Sequence, residues 1–367
     1  MAENVRGISI DLVIHPGETI SDILEARNLT QKELAKRAGV SEAFLNDVIH
    51  GKKDISKGLA RGLEYALGVP SSFWLKLQAN YDAELLSLNE ENSVEAEELQ
   101  ILKELKEIEA YLKNNRSIIS EPTKELRIIQ LRKILKVSTL TGLKSLVPAG
   151  AFRLSKKASI NPYVFGAWLC MCKEQNETNT VENQFSLSNV PELCVELKEF
   201  MCNCKGDFQN SLSQLFARYG IQFSVMRNFK GAPVQGYISR GDNGTYQIVV
   251  TLRGARADIF WFSLFHELGH IVNGDLAKPG SFIVVDEETD ARKEHAADKF
   301  ARDVLLDPDD YNAFVNKQVF TFHTISEFAA TQNVPSYIVV GRLMREEYIQ
   351  YRYFAKYIPR YKWIDKK

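Results

Sequence analysis

Apolar and polar positions recur with helical spacing over the first eighty residues. Thr30-Gln-Lys-Glu33 reads as a capping box, in which Thr30 caps a helix and Glu33 reaches back to it. That helix carries Leu34, Ala35 and Ala38 on one face, and Gly39 supplies the permissive backbone of a tight turn. Ser41 caps a second helix with Phe44, Leu45 and Val48 as its apolar stripe, and Gly51 fits its C-terminal stop. Ser56 opens another helix that Gly68 and Pro70 end, and Ser71 or Ser72 caps one through Trp74 and Leu77.

The texture then changes. Over residues 84–115, Glu90, Glu91, Glu95, Glu97, Glu98, Glu104, Glu107 and Glu109 face only Lys103 and Lys106 before Lys113. Leu99, Leu102, Leu105, Ile108 and Leu112 keep near-helical spacing, which predicts an exposed helical connector. The connector breaks at Pro122, and residues 123–204 return to helical spacing. The polar run 173–189 reads as a loop by composition. After Gly220 strands enter: Ile221–Met226, Tyr237–Ile238 and Tyr246–Leu252, with Gly241-Asp-Asn-Gly244 as a hairpin signal. Helices follow at about 257–272, 288–306, 324–332 and 335–347. The expected architecture is multidomain. An all-α helix-turn-helix domain at 1–82 leads into an acidic helical connector at 83–122 and a helical middle region at 123–209. An α+β domain at 210–367 closes the chain.

Composition narrows the class. The chain has 367 residues, 45% hydrophobic and 25% charged, with a formal net charge of −1, which excludes a wholly disordered chain. Near-neutrality also argues against coating nucleic acid by bulk charge, though not against a local patch. No apolar run reaches the ~18 residues of a membrane span, and the N-terminus lacks the pattern of a signal peptide, so a cytoplasmic protein is expected. The five cysteines, Cys170, Cys172, Cys194, Cys202 and Cys204, read as reduced thiols. Their two Cys-x-Cys pairs are tighter than common zinc spacings, which favours buried thiols over a second metal site.

The chemistry concentrates at residues 266–270, His-Glu-Leu-Gly-His. On a helix, His266 and His270 lie one turn apart on one face and can grip one Zn²⁺. Glu267 is turned ~100° from His266, beside such a metal, where it can take a proton from the attacking water. Three of the six histidines, His266, His270 and His295, fall within thirty residues, and the apolar lead 258–265 predicts a rigid buried helix. A third ligand is expected from Glu294, which shares a stripe with Ala297 and Ala301, whose small side chains let two helices approach closely. Glu287, Glu288 and Asp290 are alternatives. Asp298 lies four residues on, where it can accept the outer N–H of a liganding histidine, whereas His295 faces elsewhere.

The HELGH run followed by ExxAxxFA resembles the ImmA/IrrE family of zinc metallopeptidases, as do GAPVQGYI and DIFWFSLFHELGHIVNGD within residues 216–275. Members typically carry Asn where this chain has Asp298, which keeps an acceptor. The resemblance implies a zincin-like fold, a Zn²⁺ cofactor held by His266, His270 and Glu294, and Glu267 as catalytic base. It also implies cleavage of a partner regulator, often a helix-turn-helix repressor.

The N-terminal stretch HPGETISDILEARNLTQKELAKRAGVSEAF, with GVPSSFWLKLQANYD, resembles the HigA branch of XRE-type antitoxin regulators over most of residues 13–82. In such folds the second helix enters the major groove. By position, Gln31, Ser41, Glu42, Phe44 and Asn46 would face DNA, with Lys52 and Lys53 on phosphates. The charge speaks less clearly: residues 1–80 hold ten basic and ten acidic side chains, and the second helix carries Glu42 and Asp47 with no Lys or Arg. Phosphate attraction dominates DNA affinity, so binding would call for a homodimer on two half-sites, or the module serves protein contact instead. Thr324–Glu346 again has helix-turn-helix proportions, and the aromatic tail after it either packs on the core or touches nucleic acid through Lys356, Arg360, Lys362, Lys366 and Lys367.

The expected function is therefore a regulator that joins operator binding to zinc-dependent cleavage of a specific protein, with a protein substrate or toxin encoded nearby as its expected partner. The alternative is a non-cleaving antitoxin or repressor that uses the peptidase-like fold to hold a partner.

Overall fold

The computed structural model describes residues 14–115, 123–147, 160–178, 181, 183–204, 206–241, 243–276, 282–284 and 291–363. The chain forms two compact units, Met1–Leu99 with Glu121–Ile129, and Gln100–Ser120 with Gln130–Lys367. The predicted break at Pro122 and the alternative ligands Glu287, Glu288 and Asp290 lie outside the described residues, as do Lys366 and Lys367.

The first unit is helical: α1 (Pro16–Ala26), α2 (Gln31–Ala38), α3 (Glu42–Ile49), α4 (Lys57–Leu67) and α5 (Ser71–Asn92). Local chemistry sets most boundaries. The Thr30, Ser41 and Ser56 hydroxyls accept from the backbone N–H of Glu33, Phe44 and Leu59, each at 3.2 Å. Gly39 and Gly68 end α2 and α4 in the left-handed conformation, at φ 71° and 70°. Two expectations need correction. Glu33 does not complete the capping box; its carboxylate pairs with Arg37 one turn on, a charged partner that outcompetes a backbone N–H. Neither Ser71 nor Ser72 caps α5, which follows Pro70 without a side-chain cap and runs on to Asn92.

Ile20, Leu34, Leu45, Val48, Leu59, Leu63 and Trp74 fill this unit's core. Two glycines let its helices touch: a Cβ on Gly17 would lie 2.2 Å from the Val48 carbonyl oxygen, and one on Gly62 would lie 2.2 Å from that of Ala38. Backbone cannot yield as a side chain does, so overpacking here should cost about 2 kcal/mol or more. Gly62→Ala is expected to lower this unit's melting temperature by about 10 °C, read by thermal unfolding.

Helices α6 (Ala96–Glu104), α7 (Lys106–Asn114) and α8 (Lys124–Leu135) follow. The second unit continues with α9 (Pro162–Thr178), α10 (Val190–Asn203) and α11 (Phe208–Arg218). Then come β1 (Ile221–Met226), β2 (Gly236–Arg240), β3 (Tyr246–Thr251), α12 (Ala257–Val272), β4 (Phe282–Val284) and α13 (Ala291–Leu305). The unit ends in α14 (Pro308–Asn316), α15 (Phe322–Thr331), α16 (Ser336–Arg345) and α17 (Tyr351–Phe354). The sheet is small and mixed, in the order β1-β3-β2-β4. β1 pairs parallel with β3, Phe223 opposite Ile248, and the hairpin turn makes β2 antiparallel to β3, Tyr237 opposite Val249.

Both faces of the sheet are covered, which is why β1 is buried at every residue. On one face Phe223, Val225, Ile238, Ile248 and Val250 join a core with Phe260, Trp261, Leu264, Phe265 and Leu268 of α12. On the other, Trp168 of α9 packs edge-on against Tyr237, and Gln247 donates to the Cys172 carbonyl oxygen at 2.9 Å.

The polar run expected as a loop begins as helix, because α9 continues through Lys173, Glu174 and Gln175, residues of good helix propensity. β4 and α14 were not expected; Pro308 at its start and the Asp307 carboxylate, accepting from Asp309 and Asp310 N–H groups, define α14. The helix-turn-helix proportions of 324–346 do form two helices, yet Ile338, Val339, Val340 and Leu343 are buried in the core, so α16 presents no free recognition face. Among the described residues, no helix is long and apolar enough to cross a membrane.

Candidate functional site

Helix α12 is buried along nearly its whole length, so its polar residues are fixed by packing. His266 and His270 stand one turn apart, with Nε2 atoms 3.1 Å from each other. The Glu294 carboxylate reaches both from α13, 3.2 Å from His266 Nε2 and 3.5 Å from His270 Nε2. Small residues permit that approach: Ala297 and Ala301 are fully buried, and a Cβ on Gly269 would lie 3.1 Å from the Ala297 backbone.

The outer nitrogens are anchored. His266 Nδ1 lies 2.8 Å from Asp298, and His270 Nδ1 lies 2.8 Å from Asp275. An ionised carboxylate only accepts, so both Nδ1 atoms carry a proton, and a ring that is neutral turns its Nε2 lone pair inward. Two such nitrogens and a carboxylate facing each other could hold a cation, whether a proton or a metal ion. A tetrahedral zinc with bonds of about 2.0–2.1 Å holds its donors about 3.3 Å apart; the two Nε2 atoms are 3.1 Å apart, Glu294 turns a different oxygen to each ring at 3.2 and 3.5 Å, and one donor atom from each residue lies within 4.8 Å of the others. Burial opposes charge on His266, but Asp298, Glu294 and Glu267 outweigh it and push its pKa up to about 10. Burial lowers that of His270, aided by the charge on His266. His266 Nε2 would have to give up a proton before it could bind a metal ion.

Glu267 is completely buried next to this centre. Its carboxylate fits only because β2 offers a glycine: a Cβ on Gly236 would sit 1.8 Å from Glu267 Oε1. Sequence reasoning missed Gly236 and Asp275, although both lie in the stretches GAPVQGYI and HIVNGD quoted above. The signal for Asp275 was its place just beyond the helix, where its N–H bonds the His270 carbonyl oxygen at 3.0 Å and turns the side chain back. Asp275→Asn is expected to weaken metal affinity about 10–100-fold, measured by competition with a chromogenic chelator. His295 is exposed.

In the first unit, Gln31 is half-buried in the opening turn of α2, and Ser41 and Glu42 are exposed where α3 begins. Asn46 is half-buried one turn later, and Ala43 and His50, which sequence reasoning passed over, share its side at helical spacing and are exposed. Phe44 packs partly against the core. Lys52 and Lys53 are exposed after α3, but Lys53 pairs with Asp47 at 2.9 Å and its ammonium lies 5.4 Å from the Phe44 ring centre. Of the seven residues, Ser41, Glu42, Lys52 and Lys53 are thus exposed and Gln31, Phe44 and Asn46 half-buried, and α3 itself carries no Lys or Arg.

Residues 20–74 match the model of the helix-turn-helix family. Virulence-associated protein A' of Dichelobacter nodosus is 39% identical over 69 residues, 18% of this chain and 60% of that protein. Two solved structures are also similar. A Nostoc punctiforme protein described as an antidote of a plasmid maintenance system is 38% identical, covering 22% of this chain and 89% of its own, with a TM-score of 0.20. The Pseudomonas aeruginosa antitoxin HigA, solved with the higBA promoter, is 26% identical, covering 23% and 96%, with a TM-score of 0.21. The chain thus spans about three fifths of the curated relative it matches. The N-terminal part of this protein is a helix-turn-helix domain of the XRE type.

Proposed function

We propose that this protein is a DNA-binding regulator that also hydrolyses a specific protein partner with zinc, its second unit acting as a zincin-like peptidase of the ImmA/IrrE kind. One observation carries the enzymatic half: two imidazole Nε2 atoms and the Glu294 carboxylate converge at ligand spacing, with both Nδ1 atoms anchored, beside the buried Glu267. Bound there, Zn²⁺ would supply a Lewis acid that polarises the scissile carbonyl and makes water acidic. Glu267 takes the proton of the attacking water on its carboxylate and passes it to the leaving amine nitrogen. Asp298 and Asp275 hold the two rings in one tautomer and orientation. The buried Glu267 favours this over a partner-holding protein without activity, since a merely binding fold has no need of a carboxylate accommodated by Gly236.

The regulatory half rests on the helix-turn-helix match, with α3 in the major groove and a dimer on two half-sites compensating for its sparse charge. Elemental analysis of protein purified without added metal should find about one zinc per chain. Incubation with the products of neighbouring genes, toxin or repressor, should show a discrete cleavage. A zinc-bound protein that only binds such a partner would establish the non-cleaving reading. Gel shift on the protein's own promoter tests the regulatory half; no shift at low salt would leave the domain a protein-contact module.

A further inference from the structure

Among the described residues of the second unit, the exposed aromatic side chains lie towards its C-terminus. There Tyr348, Tyr351 and Tyr353 are 42%, 55% and 57% exposed, and Val319 and Phe322 beside them are 51% and 38% exposed. Two ring contacts tie part of it together: Phe320 packs on Tyr348 with ring centres 5.7 Å apart, and Phe322 stacks on Tyr357 at 3.9 Å, while Tyr351 and Tyr353, two residues apart on α17, project to different sides of that turn. Pro359 accepts from the Ala257 N–H at 2.9 Å, the Tyr361 N–H donates to the Ala255 carbonyl oxygen at 2.7 Å, and Trp261 Nε1 donates to the Tyr361 hydroxyl at 2.9 Å. The chain just beyond the exposed rings is thus tied to the start of α12 and the turn before it.

Its charge is one-sided. Residues 348–363 contain Arg352, Lys356, Arg360 and Lys362 and no carboxylate, in a chain whose net charge is −1. Cations lie over the ring faces: Arg256, whose guanidinium is also paired with Asp258, at 5.6 Å from the Tyr351 centre, Arg352 at 4.5 Å from Tyr353 and Lys356 at 5.0 Å from Tyr357. Just upstream, Glu346 is engaged by Arg342 and Tyr311, leaving Glu347 as the nearest exposed acid along the chain.

We propose that this tail is a platform for single-stranded nucleic acid, its exposed tyrosines stacking on bases and its interleaved cations pairing with phosphates. Base faces and phosphates occur together at this spacing in a single strand, whereas a duplex hides its base faces. An anionic membrane would also attract the cations, but the most exposed rings are tyrosines rather than the Trp, Phe and Leu that anchor an interfacial face. The same chain carries a helix-turn-helix domain, which fits a nucleic-acid ligand. The proposal stands independently of zinc.

The test is fluorescence anisotropy of the full chain with a labelled oligothymidylate of about twenty nucleotides, enough to cover one such platform. Binding is expected within about 100 μM, with a log–log salt slope near −3 for about four phosphates. The paired substitution Tyr351→Ser and Tyr353→Ser should weaken it at least about tenfold, leaving the melting temperature and binding to a duplex of the protein's own promoter unchanged. Arg352→Glu should weaken it as well, with every tyrosine kept. Absence of oligothymidylate binding, or equal affinity in wild type and both variants, overturns the proposal. So does tighter binding to phosphatidylserine vesicles that the same substitutions abolish, which would make the patch a membrane face.

Discussion

Glu267→Gln is expected to keep zinc and fold and to lose cleavage by about 10³-fold or more. The carboxamide has nearly the shape of the carboxylate, so it fits the space that Gly236 leaves on β2. It cannot accept the proton of the attacking water, and the other carboxylates described around the site are engaged: Glu294 faces the two Nε2 atoms, while Asp298 and Asp275 are held by the Nδ1 atoms. Elemental analysis and single-turnover cleavage of the partner found for the wild type measure the two halves of the result. Cleavage that persists in the zinc-loaded variant would remove Glu267 from the mechanism. Loss of zinc along with activity would make Glu267 a support of the metal centre instead.

The sequence displays what depends on near neighbours and hides what depends on the fold. Thr30, Ser41 and Ser56 announce helix starts because a cap acts over three residues, and Gly39 and Gly68 announce the ends for the same reason. His266 and His270 stand out because one helical turn joins them, and Glu294 because Ala297 and Ala301 mark a seam on its own helix. All three lie together in the fold. Gly236 gives no local sign, since its value lies in a carboxylate thirty residues away across a strand–helix contact. The hydrophobic stretch of α9 shows burial but not its partner, the second face of the sheet. Even within one helix, Glu33 had two available partners, and the pattern S/T-x-x-E does not reveal that Arg37 would win it.

His270→Ala probes a different property, the dependence of the second unit on its metal. The substitution removes one of three donors, and two donors hold zinc too weakly to survive purification. It also strands Asp275, whose side chain is only 8% exposed and which would keep only Lys293, 3.8 Å away, as a charged partner. Leaving a buried charged acceptor without its hydrogen bond costs about 1–3 kcal/mol or more, and the stabilisation that zinc would contribute to the folded state is lost as well. In a unit of this size each kcal/mol moves the midpoint by about 2–4 °C, so a fall of about 10 °C or more is expected. Differential scanning calorimetry separates the two causes. Added zinc should raise the wild-type transition after chelation and leave that of the variant in place. A variant that still responds to zinc would show that the ion is held elsewhere, and that α12 and α13 meet for packing alone.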